Sequence, residues 1–103
     1  MPGLREQLIK ADLWNADDAR DPAYNPAAST ILLSRMKKPL EKGAYISYCV
    51  SLDRTPSTEV FINYEGKRYC LAMDVDLYIA ICKAALMLPE ILRQYPECAA
   101  KLD

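Results

Sequence analysis

The chain has 103 residues, about half of them hydrophobic, with 13 Lys and Arg against 14 Asp and Glu. That length suits one domain, and that composition argues against a disordered chain. A net charge of −1 gives no general attraction to nucleic acid or to an anionic membrane.

Leu4 to Trp14 reads as a short amphipathic helix. Leu4, Leu8 and Trp14 fall toward one face with Ile9 and Leu13 beside it, and Arg5, Glu6 and Lys10 point to water. Asn15 to Asn25, with Asp17, Asp18, Asp21 and Pro22, has little to bury and reads as a loop or frayed turn. Asn25-Pro26 has the form of a helix start, an N-cap residue followed by Pro at the first helical position. A helix over Ala27–Lys37 follows, although Thr30-Ile31-Leu32-Leu33 is short enough to fit a strand as well. Pro39 and Gly43 mark a connection.

Ala44–Leu52 alternates strictly, with Ile46, Tyr48, Val50 and Leu52 on one side, which predicts a strand. Asp53–Thr58 holds Pro56 and reads as a loop. Glu59–Tyr64 and Lys67–Met73 are two further strands joined at Glu65-Gly66. A two-residue turn there sets Ile62 opposite Tyr69 and Val60 opposite Leu71, and it gathers Tyr69, Leu71 and Met73 on one apolar face. A turn of Asn63 to Gly66 with a glycine bulge shifts every side chain to the other face. The two-residue turn is the expectation. It puts Phe61, Cys49 and Cys70 together on the opposite face.

Asp74 is expected to cap a helix over Val75–Leu88, with Asp76 favouring its positive end. That helix is apolar nearly all round, with Lys83 its only charge after Asp76. Pro89 either kinks it or opens a new helix, Glu90–Tyr95 continues helically, and Pro96 starts a last short turn through Cys98 and Leu102. The expected fold is α+β: N-terminal helices, a three-stranded antiparallel meander, and a long apolar C-terminal helix packed on the sheet, all in one domain.

The absence of histidine removes Ser-His and Cys-His nucleophiles, imidazole metal sites and the usual pH switch. No phosphate-binding glycine loop exists, since Gly3, Gly43 and Gly66 stand alone. The cysteines, at 49, 70, 82 and 98, are separated by 21, 12 and 16 positions, which suits no zinc knuckle. They are expected to be free thiols, most of them packed as small hydrophobes. No catalytic residue, metal or cofactor is expected, and the chain is read as a non-enzyme.

Two surfaces remain as candidates. The first is a protein interface on the C-terminal helix, formed by Leu77, Ile81 and Leu88 or by the side bearing Tyr78, Cys82 and Ala85. The same helix can instead be core, buried between the sheet and the N-terminal helices. The second is a basic patch of Arg35, Lys37, Lys38, Arg54, Lys67 and Arg68, with Tyr45 and Tyr48 to stack on bases. The leading expectation is a small binding or regulatory protein, a homodimer or a partner of another protein, such as a phage- or plasmid-type accessory or inhibitor. A nucleic-acid-binding accessory protein is the alternative. Met1–Arg5 is followed by no apolar run of the signal-peptide kind, so a cytoplasmic protein with no membrane association is expected.

Overall fold

The computed structural model describes residues 3–52 and 57–101, so Leu102 of the expected last turn lies outside the described residues. Its elements run α1 (Leu4–Lys10), α2 (Pro26–Met36), β1 (Tyr45–Ser51), β2 (Ser57–Tyr64), β3 (Lys67–Asp74) and α3 (Leu77–Gln94), followed by a 3-10 turn at Pro96–Cys98. The sheet is an antiparallel meander in the order β1-β2-β3. α3 packs on β3 and β2, and α1 and α2 pack on α3, so this is an α+β fold. No helix of the described residues is long and apolar enough to cross a membrane.

α1 ends four residues earlier than its apolar pattern predicts. The Asp12 N–H donates to the Ile9 carbonyl and the Leu13 N–H to the Leu8 carbonyl, with Asp12 in the left-handed region at φ 62°. This is a Schellman termination, with Asp at the position where glycine is usual. The turn frees Trp14 to enter the core, where its indole N–H donates to the Arg20 carbonyl. The following loop is packed rather than frayed. Pro22 and Ala23 are buried, and the Arg5 guanidinium donates to the carbonyls of Ala16, Asp18 and Arg20. Arg5 therefore ties down the loop instead of pointing to water.

Asn25 caps α2 as expected, its Oδ1 accepting from the Ala28 N–H at 3.1 Å. Residues 27–36 are thus helix, and Ala28, Leu32 and Met36 form its buried stripe. In the hairpin, Glu65 and Gly66 both take positive φ, 51° and 78°, as the two-residue turn demands. Tyr64 pairs with Lys67 and Ile62 with Tyr69. Further along, the expected register breaks. Phe61 pairs with Cys70 but Val60 pairs with Ala72, which leaves Leu71 as the extra residue of a β-bulge. The bulge keeps Leu71 in the core and turns Met73 out to the opposite face, where it is exposed opposite Glu59.

β3 also runs one residue further than its pattern suggests, pairing Asp74 with Thr58. Asp76, not Asp74, therefore caps α3. Its Oδ1 accepts from the N–H groups of Tyr78 and Ile79 at 2.8 and 3.1 Å. Asp74 accepts instead from the Asp76 N–H and the Lys83 ammonium. α3 runs unbroken through Pro89, which has no N–H for the Ala85 carbonyl one turn back. The chain end is held by an isolated bridge between Leu40 and Ala99 and by the Tyr69 hydroxyl, which donates to Glu97.

Candidate protein interface

Of the six α3 residues expected to form an interface, four are core. Ile81, Cys82, Ala85 and Leu88 are buried within the same chain, and Leu77 and Tyr78 are half-buried. The physical reason is that α1 and α2 cover the side of α3 that the sheet does not, so an all-round apolar helix finds partners on both sides. Burial pushes the Cys82 thiol up to about 12, which keeps it protonated and inert.

The basic residues do not gather on one surface. The Arg35 guanidinium lies 5.1 Å over the Trp14 ring and donates to the Leu13 carbonyl. Arg68 lies 5.1 Å over Phe61, on the sheet face turned away from the helices. Lys37 lines a groove between α2 and β1. Lys38 and Lys67 are exposed, and Arg54 lies outside the described residues. Tyr45 and Tyr48 point to opposite faces of β1, so they make no common stacking platform.

An exposed apolar surface lies instead on β1, while Tyr24, Met73, Val75 and Met87 are exposed elsewhere. α3 covers β3 and β2 but leaves the inner face of β1 to overhang. Tyr48 and Val50 belong to that inner face, yet they remain 53% and 48% exposed. Beside them a groove of about 260 Å³ opens between α2 and β1, with Leu33 and Ile46 as apolar walls and Val60 and Ile81 at its base. Tyr45 and Cys49 are exposed on the other face of the same strand.

β1 is also a sheet edge, since no strand of the described residues pairs with its outer side. Sheet edges are commonly blunted by charge, proline or a bulge. β3, the other edge, carries Lys67, Arg68 and the bulge at Leu71. Tyr45–Ser51 has no charge and no proline, and it pairs with β2 without a register shift. An uncharged, unbroken edge leaves its outward backbone N–H and C=O groups open to pairing with an added strand.

Two of the four cysteines, Cys82 and Cys98, are buried, and Cys49 and Cys70 are exposed thiols on the outer sheet face. The expectation that most are packed is thus corrected to half. Phe61 lies between them on that face and is buried, with Arg68 as its lid. Among the described residues, no group of three or more Cys, Asp or Glu side chains is placed to hold a metal ion.

A sequence reading could have found β1. The first strand of a three-stranded meander is necessarily an edge. A helix joined to the third strand by two residues settles on that strand and its neighbour. The uncharged run Ala44–Leu52 was the remaining signal.

Comparison of the chain with protein-family models, curated proteins and solved structures finds no match.

Proposed function

We propose that this chain is a small non-enzymatic binding protein of the cytoplasm that acts through protein contacts, with the β1 edge and the adjoining groove as its binding surface. The observation that carries this reading is an uncharged edge strand whose inward-facing Tyr48 and Val50 are left half-exposed by their own fold. A partner strand laid along β1 would satisfy the backbone edge, and its side chains would cover Tyr48 and the Leu33–Ile46 groove. The two exposed thiols fit a reducing compartment, where they stay unoxidised.

Purification from the source cells tests the reading. The chain should bring down a protein species, whether a second copy or another chain, and Tyr48→Lys should lose it while remaining folded. Retention of the same species by Tyr48→Lys, or purification of the wild type alone, contradicts the proposal.

A further inference from the structure

Resting on that reading, we infer that the strand received by β1 is β1 of a second copy, antiparallel about a two-fold axis at Tyr48, so that two sheets join into one of six strands.

The strand is its own complement. Two-fold antiparallel pairing centred on a residue always matches odd positions with odd and even with even. About Tyr48 it sets Ile46 opposite Val50 of the other copy, Tyr48 opposite its own counterpart, Ser47 opposite Cys49 and Tyr45 opposite Ser51. The apolar inner positions thus meet apolar ones, and all seven residues of the strand are used. The strand has no charge, so symmetry brings no like charges together along it.

Pairing of β1 with β3 of another copy, which would grow an open filament, is opposed by the Leu71 bulge and by Lys67 and Arg68. The closed two-fold arrangement lets each copy offer its unprotected edge once.

A lasting dimer buries about 800 Å² per partner, roughly an eighth of the 6737 Å² that this structure exposes. The half-exposed rings of Tyr45 and Tyr48 supply about 200 Å² of it. Val50, the backbone edge and the groove rim must contribute the rest. Interfaces of about this size reach micromolar or tighter dissociation constants.

Cys49 provides the test. In this register the two Cys49 residues are diagonal neighbours on the outer face, about 7–8 Å apart. The two Cys70 residues are five strand spacings apart, about 24 Å. Purified wild type at about 100 μM, well above a micromolar dissociation constant, should show by light scattering twice the 11.6 kDa chain mass. A short bis-maleimide should trap a covalent dimer that Cys49→Ser abolishes and Cys70→Ser leaves intact. Tyr48→Lys and Val50→Lys, both at exposed positions, should each return the mass to one chain with unchanged circular dichroism. A wild-type monomer at that concentration, or a dimer still trapped in Cys49→Ser, overturns the inference. If the pure chain is monomeric while a Tyr48→Lys-sensitive species still comes down from cells, self-pairing fails and the binding surface at β1 stands. If neither is seen, both fail.

Discussion

Strand β1 and helix α3 have similar composition and opposite fates. Residues 45–51 carry no charge, and residues 77–88 carry only Lys83. Yet Ile81, Cys82, Ala84 and Ala85 are all within 2% of full burial, whereas Tyr45, Tyr48 and Val50 are about half-exposed. Apolar content did not decide which would be covered. Connectivity did. α3 follows β3 after two residues and lies on β3 and β2, and α1 and α2 close over its back. β1 is two strands away from that connection, and no helix reaches over it fully. An apolar segment is therefore buried or left exposed according to what the chain order lays against it.

The contrast is sharpest in stability. Ile81→Ala removes a fully buried side chain that touches both sheet and helices, and it should cost about 2–4 kcal/mol in denaturant unfolding. Tyr48→Lys, measured on dilute monomer, should cost under about 0.5 kcal/mol, as surface substitutions do. Equal costs at the two positions would erase the distinction.

Between these lies the start of α3. Asp76→Ala deletes the acceptor for the N–H groups of Tyr78 and Ile79 and should cost about 1 kcal/mol. Asp74→Ala should weaken the chain for a different reason, loss of the Lys83 contact at 2.6 Å. That pair is partly exposed and worth at most about 1 kcal/mol. The two variants separate the residue that caps the helix from the one that ends the strand.

Acid should act on the carboxylates and not on β1. Lys83 holds Asp74 below the usual carboxylate range, Arg93 does the same for Glu90, and Arg20 brings Asp18 down to about 2. A carboxylate with a lowered folded value binds its proton more readily in the unfolded chain. Its stabilisation is complete above about pH 4–5 and is lost as pH falls through the folded values. Thermal midpoints should therefore be flat in this respect from neutral pH down to about pH 5 and then drop. A rise in midpoint below pH 4 would contradict these assignments.

A smaller effect concerns the end of α1. Asp12→Gly places a residue without Cβ strain in the left-handed position and should stabilise by about 0.5–1 kcal/mol, visible as a raised thermal midpoint.

Much of the fold was legible because local rules and burial agree in this chain. Asn25-Pro26 marks a helix start, alternation marks three strands, and the two-residue turn at Glu65-Gly66 follows from the apolar register. The departures have local causes that periodicity does not carry. A Schellman turn with Asp12 ended α1, a bulge at Leu71 turned Met73 outward, and one extra strand pair moved the cap from Asp74 to Asp76. The candidate surface was less legible. Periodicity shows that α3 is apolar all round, but whether α1 and α2 cover its back is a tertiary fact. Likewise Arg35 and Arg68 look like free cations in sequence, while in the structure each lies over an aromatic ring.

On the proposed reading β1 is an open edge that receives a strand, whereas residues 80–85 of α3, apart from Lys83, are already covered by their own fold. Amide hydrogen exchange, followed as protein concentration rises through the micromolar range, tests it most directly. Protection should grow with concentration across residues 45–51 and stay constant across residues 80–88. Protection in residues 45–51 that is independent of concentration, or that grows in α3 instead, would contradict it.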